Sequence, residues 1–288
     1  MTLNIPMPGT IGGAKLIFNN PMKKIGIIGL GYVGGAIQAS INWPEQFLII
    51  DPPKGYANTY EDLKEQTDGV FVCVPSPQGD DGSCDTSILE NVLKELKRVD
   101  YQGVIISKCT APPHVYEKLN SEYPNLVHAP EFLTAANANR DYANGRFAII
   151  GGRVPAYIRE AERIIRSTQE ALGENVRHCT IGEAALAKYT INSFLATKVT
   201  FMNELRDVAV ASSLDYDTIV GMIKMDPRIG SSHLQVPGPD GAFGFGGACF
   251  PKDTSALLKY AEIVGAQMNV LDAAVKKNTI LRLTDKEA

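Results

Sequence analysis

The stretch KIGIIGLGYVGGAIQASI, residues 24–41, decides the fold. Its first seven residues, KIGIIGL, form a short apolar run rich in β-branched side chains, the pattern of a strand buried on both faces of a parallel sheet. The following YVGGAIQASI has helical character. Between the two lies Gly29-x-Gly31-x-x-Gly34, a glycine pattern placed directly after a strand and at the opening of a helix. Each glycine has a physical task in that setting. Gly29 permits the tight turn, Gly31 lets the backbone approach a pyrophosphate, and Gly34 lets the helix lie against the strand. The helix N-terminus then faces the negative phosphates.

A second apolar run, FLIID at 47–51, ends in Asp51, 17 residues beyond Gly34. A carboxylate at that strand end accepts hydrogen bonds from ribose hydroxyls and repels a 2′-phosphate. The expected cofactor is therefore NAD rather than NADP. Lys54 nearby weakens that preference.

Further outward the same alternation continues. GVFVCVP at 69–75 and GVIISK at 103–108 read as strands, and LVHAPEF and RFAIIGG as a fifth and sixth. Helices are expected at 85–98 and 155–167. Strands alternating with helices predict an α/β fold with a Rossmann-like doubly wound parallel sheet, its ligand edge at the strand C-termini. After residue 182 the texture changes. EAALAKYTINSFLATKVTFMNELRDVAVASS lacks Gly and Pro and predicts one helix of about 45 Å. Helices at 215–225 and 254–265 follow. The expected organisation is an arm over 1–22, where Pro and Gly prevent a regular helix, a dinucleotide-binding domain over 23–181, and an all-helical domain over 182–288.

Composition fits such a protein. Of 288 residues, 44% are hydrophobic and 21% charged, the balance of a globular chain. The net charge of −4 argues against nucleic acid or an anionic membrane as the main partner. No apolar run is long enough to span a bilayer, and the first 22 residues lack the layout of a signal peptide. The five cysteines are widely spaced, without a CxxC pair, and the four histidines are scattered. A cytoplasmic location without disulfides or a protein-bound metal is expected.

One motif asks for chemistry. In GFGGACFPKD, residues 244–253, Cys249 ends a glycine-rich loop and Pro251 follows at the start of a helix. A thiol before a helix N-terminus is expected to have a lowered pKa.

The chain resembles the UDP-glucose/GDP-mannose dehydrogenases, which oxidise the C6 alcohol of a nucleotide sugar to a carboxylate in two NAD-dependent steps. Seven colinear blocks carry the resemblance: GLGYVG at 29–34, VPSPQGDDGSCDTS at 74–87, SKCTAPP at 107–113, PEFL at 130–133, KYTINSF at 188–194, DPRIG at 226–230 and GFGGACFPKD at 244–253. The resemblance implies that Cys249 is the nucleophile and that Lys188 and Asn192 stabilise the oxyanion. Glu131 would handle the hydrolytic water, Asp253 would work with Lys188, and Thr110 would lie near the nicotinamide. Cofactor contacts extend to Tyr32, Val33, Val74, Pro75 and Ser76. Substrate contacts extend to Phe132, Leu133, Phe245, Gly246, Gly247 and, across a homodimer interface in the helical domain, Arg228.

The chemistry asks for these residue types. An aldehyde yields a second hydride only after a nucleophile adds to it, and a thiolate can do so. Lys188 and Asn192, four apart, share a helix face and can hold an oxyanion. Plainer readings stand beside these: a turn cysteine, a surface lysine, a capping role for Glu131 or Thr110, dipole complementation by Asp253, a surface ion pair for Arg228. Cys109 is read as a tolerated small neighbour of Thr110, and Cys73 as core.

Two departures from the family stand out. Its PEFL is usually followed by Arg-Glu, where Thr134 and Ala135 stand here. Its third, C-terminal domain is expected to be missing, since the chain ends at Ala288. Two rival readings are kept. One is a two-electron dehydrogenase of the 3-hydroxyacid or 6-phosphogluconate type, which needs no cysteine. The other is a half-enzyme that takes its nucleotide grip from a partner.

Overall fold

A computed structural model describes residues 24–41 and 46–284. The arm expected over 1–22 lies outside them.

The opening stretch forms β1 (Lys24–Ile28), a glycine turn and α1 (Tyr32–Ala39). There follow β2 (Phe47–Asp51), β3 (Tyr56–Ala57), α2 (Tyr60–Gln66), β4 (Thr67–Val72), α3 (Ser87–Arg98), β5 (Val104–Ser107), α4 (Pro113–Glu122) and β6 (Leu126–His128). Then come α5 (Ala138–Ala143), β7 (Ala148–Gly152), α6 (Pro155–Thr168) and β8 (Val176–Cys179). The strands make one sheet of order β3-β2-β1-β4-β5-β6-β7-β8. Alternating side chains fill both of its faces. Ile28, Leu48, Ile50, Val70 and Val72 pack beneath α3 and α4. Ile27, Phe47, Ile49 and Phe71 pack on the other face with Ile37 of α1 and Ile164 of α6.

The sheet is mostly, not wholly, parallel. β3 runs against β2, and β7 runs against β6. The connection from β6 to β7 holds a 3-10 turn at Ala135–Asn137 and the six-residue α5, which packs against α1, and β7 starts from the edge where β6 ended. β6 itself stops at His128 rather than running to Phe132, because Pro130 has no N–H for the ladder. β3 and β8 were not expected; both lie at sheet edges, and VRHC has no apolar alternation to announce it.

The helical part is α7 (Ile181–Ala211), α8 (Tyr216–Ile223), α9 (Phe250–Ile263) and α10 (Asn269–Thr284). A capping box starts α7: Glu183 N donates to Thr180 Oγ1, and Glu183 accepts from Thr180 N at 2.7 Å. Ile181 and Ala185 pack into the sheet's core, so α7 straddles the boundary expected near residue 181. Farther along, Tyr189 packs with Ala256 and Leu257 of α9 and Leu271 of α10. α7 thus carries residues from the sheet's C-terminal edge to the cysteine loop.

Candidate active site

The glycine turn has the shape its spacing requires. Gly29 sits at φ +90°, and a Cβ there would meet the Cys73 carbonyl oxygen at 2.8 Å. A Cβ on Gly34 would come within 2.1 Å of Gly29 O. At Gly31 a Cβ would meet no atom within 4 Å. Gly31, Tyr32 and Gly35 border a cavity of about 780 Å³, closed on the far side by Lys54 and residues 135–140. Asp51 Oδ2 accepts from Leu30 N at 2.6 Å, and Lys54 Nζ donates to Leu30 O. The other oxygen of Asp51 has no partner among the described residues. Val74, Pro75 and Ser76 follow β4 on the same edge, and Ser76 Oγ is buried without a partner. A free carboxylate oxygen, an orphan hydroxyl and an open approach to the α1 N-terminus fit a dinucleotide.

The second group assembles from three separate segments. Glu131 follows β6, and Lys188 and Asn192 stand one turn apart on α7. Cys249 is the N-cap of α9 and Asp253 lies in that helix's first turn. Lys188 is 4% exposed. Its Nζ donates to Glu131 O at 2.5 Å and to Glu131 Oε1 at 3.1 Å. Asn192 Nδ2 donates to Asp253 Oδ2 at 2.5 Å. Asp253, 1% exposed, also takes Lys252 Nζ at 2.5 Å. Asp253 bonds directly to Asn192 and Lys252; the resemblance implies that it works with Lys188 and an ordered water. Lys188 bonds Glu131, which reaches α7 from the loop after β6. Lys252 was missed; its only signal is its place before Asp253 in FPKD.

Cys249 is solvent-accessible and free. The lowered thiol pKa expected from the helix terminus is not found. Crowding by the surrounding protein pushes the thiol up, and Glu131 and Asp253 add to this, against Lys188 and Lys252. Desolvation therefore outweighs the cations and the helix end. Cys109 is buried, its Sγ against the carbonyls of Val72 and Val74, and burial pushes its thiol up to about 12. It is no second nucleophile.

Thr110 does not cap α4, whose N-cap is Pro112. Its carbonyl accepts from Cys84 Sγ at 3.2 Å, which ties the loop after β5 to the 78–84 loop. Phe132 lies beneath Lys188 Nζ, 5.2 Å from the ring centroid, and Leu133 N donates to Glu131 Oε2 at 2.7 Å. Phe245 departs from expectation. The residue is 4% exposed and its ring packs edge-on to Phe250, so it anchors the loop from inside. The loop is strapped by residues that sequence reasoning missed. Asn278 brackets Phe245 N and O at 2.6 and 3.0 Å. Arg282 reaches the carbonyls of Gly244 and Phe245, and its guanidinium lies where a Cβ on Gly246 would be. Gly247 follows at φ +76°. Arg228 is exposed and paired with Asp226 through Nε and Nη2. No contact joins it to Cys249 within the described residues, so in one chain it is a surface ion-pair partner.

Residues 55–169 match the NAD binding domain of the UDP-glucose/GDP-mannose dehydrogenase family, and residues 182–280 match its central domain. Together they take in more than half of the chain. The chain belongs to this family. The UDP-glucose 6-dehydrogenase TuaD of Bacillus subtilis is 28% identical over 299 residues, covering 89% of this chain and 63% of that protein. The same organism's putative UDP-glucose 6-dehydrogenase YtcA is 31% identical over 212 residues, covering 70% and 48%. The chain thus spans about half to two thirds of the length of these relatives. A UDP-glucose dehydrogenase from the archaeon Pyrobaculum islandicum shares the fold, with a TM-score of 0.76 at 23% identity over 93% of this chain and 70% of that one. So does a 3-hydroxyisobutyrate dehydrogenase of Mycobacterium tuberculosis, with a TM-score of 0.67 at 18% identity over 89% and 92%. The matched NAD-binding segment begins at residue 55, beyond the glycine turn; the turn's strand–helix setting places it on its own. Among the described residues no helix is long and apolar enough to cross a membrane.

Proposed function

We propose that this chain oxidises the primary alcohol of a nucleotide sugar to a carboxylate, with UDP-glucose as first substrate and Cys249 as nucleophile. The carrying observation is the accessible Cys249 thiol within electrostatic reach of Lys188, Glu131, Asp253 and Lys252, in a chain that also carries the dinucleotide-type glycine turn. The names of the curated relatives support the choice of substrate. NAD, when bound, supplies the hydride acceptor for both oxidations.

The chain's own residues supply the rest. The Cys249 sulfur adds to the aldehyde carbon, and the thiol proton ends on the former carbonyl oxygen. The thiolate is the attacking form, so the raised thiol pKa makes this step faster as pH rises. The resulting thiohemiacetal has a hydride to give and becomes a thioester by losing it with a proton. Water then attacks the thioester carbon, the C–S bond breaks, and the thiol is restored as the carboxylic acid leaves. Lys188 has spent two of three N–H donors on Glu131, and Asn192 one of its two amide donors on Asp253. One donor of each remains for the oxyanion. Glu131, held by Lys188 and Leu133 N, takes the proton of the attacking water. Arg228 and the homodimer belong to the proposal as well, with Arg228 serving a second copy.

The test supplies NAD and UDP-glucose to the wild type and to Cys249→Ser. The expected result is NADH and UDP-glucuronate from the wild type, with acid formation falling at least about a thousandfold in the variant. No NADH from protein shown to bind NAD would overturn the reading.

A further inference from the structure

A second cavity, of about 340 Å³, lies behind the loop that carries Glu131. Its walls come from Pro130–Leu133, from the 141–148 segment and from Gln169, and Lys108 stands at its inner end. Lys108 is the residue after β5, and only 8% of it is exposed. Its backbone N–H closes the β4–β5 ladder on Val72 O. Its ammonium has no hydrogen bond and no ion pair among the described residues. It hangs over the Phe71 ring, 5.9 Å from the centroid. The face of a ring supplies attraction but no acceptor for three N–H groups.

Such an arrangement calls for an explanation. A buried charge without hydrogen-bonding partners destabilises a fold, and a hydrophobic side chain of equal length would serve packing better. The cavity's acids do not bond to it: Glu131 attracts it from a distance, and both acids are already engaged. Glu131 accepts from Lys188 Nζ and from Leu133 N. Asp141 Oδ2 accepts from both Thr134 N and Thr134 Oγ1, and Arg140 Nε lies 3.8 Å from Oδ1. The uncommitted charges are Lys108 at the inner end and Arg146, exposed at the mouth, both cations. Phe132 and Phe147, 4.9 Å apart, form an apolar wall between them.

We infer that this cavity is a binding site for a compact oxyanion, a carboxylate or phosphate group, anchored by Lys108 with Arg146 at the entrance. A carboxylate or phosphate supplies the acceptors that the ammonium lacks, and a desolvated contact makes each bond strong. Arg146 screens the approach of the anion past Asp141. The aromatic wall accommodates a small carbon framework attached to the anionic group. The site is distinct from the dinucleotide cavity, from which the 135–140 segment divides it in sequence. The cavity shares Glu131, Phe132 and Leu133 with the proposed oxidation site, but the inference is tested apart from that reading, because binding is measured without turnover.

Titration calorimetry on the full chain tests it, with inorganic phosphate and with D-glucuronate as separate probes. Saturating NAD is present, so that the α1 N-terminus is filled. Lys108→Met removes the charge at equal length, and Lys108→Gln is a second variant. Wild-type protein is expected to bind at least one probe, and each variant to bind it about tenfold or more weakly. The thermal midpoint of the Met variant without anion is expected to equal or exceed that of the wild type, which separates lost binding from lost folding. Heat with phosphate alone assigns a phosphate-bearing ligand, and heat with glucuronate a carboxylate. No binding of either probe by the wild type, or equal binding by both variants, would overturn the inference.

Discussion

Cys249 shows how a single environment reverses a local rule. The helix terminus and two lysines favour the thiolate, yet crowding and two carboxylates hold the thiol above its ordinary value. Alkylation of Cys249 by iodoacetamide, followed by mass spectrometry, is therefore expected to keep accelerating beyond pH 9; a rate that levels off below pH 8 would contradict this. Lys108 gives the opposite sign. Burial brings its pKa down to about 8, opposed by attraction to Cys73 and Glu131 and assisted by Lys188. Between pH 8 and the ordinary lysine value the unfolded chain binds the extra proton, so this residue's contribution to stability rises with pH. Denaturant midpoints of the wild type, relative to Lys108→Met, are expected to rise across that window; a flat difference would contradict it. Asp253 presents a simpler case. Removing it by Asp253→Ala leaves Lys252 and Asn192 without their acceptor in a dry site, at a cost of about 3 kcal/mol. Arg228→Ala, at an exposed pair, is expected to leave stability close to that of the wild type. Sequence alone could name Lys188, Asn192, Glu131 and Asp253 from their motifs. It could not show who pairs with whom, because those pairs join segments about sixty positions apart.

Elements were legible where periodicity or glycine chemistry is strong. β1, its turn and α1 follow from 24–41 because close packing leaves Gly34 no room for a methyl group. Gly34→Ala would place Cβ 2.1 Å from Gly29 O, so the variant is expected to lose NAD binding and to melt lower; unchanged NAD affinity would refute the turn's role. The reversal at β7 was not legible, since it depends on the path of the connection from β6 rather than on any residue of the strand. The cysteine loop was half legible. Its glycines announce a close approach, but its hold comes from α10, through Asn278 and Arg282. Asn278→Ala removes two hydrogen bonds to Phe245 and is expected to cost about 1–3 kcal/mol by urea denaturation. Turnover should fall with it, as the loop before Cys249 loosens. A variant of wild-type stability would show that Asn203 and Arg282 suffice to hold the loop.

At the scale of the whole molecule, α7 is the organising member. Its first turns belong to the sheet's core, its middle carries Lys188 and Asn192, and its later turns pack on α9 and α10. It thereby sets a cofactor edge against a cysteine loop that lies far away in sequence. The 3-hydroxyisobutyrate dehydrogenase shares this architecture, so architecture alone does not separate a two-electron from a four-electron enzyme. Cys249 does. The most direct measurement is the ratio of NADH formed to UDP-glucose consumed, taken to completion with the sugar limiting. Two NADH for each sugar, with UDP-glucuronate as product, is the result this account predicts. One NADH for each sugar, with the aldehyde released, would contradict it.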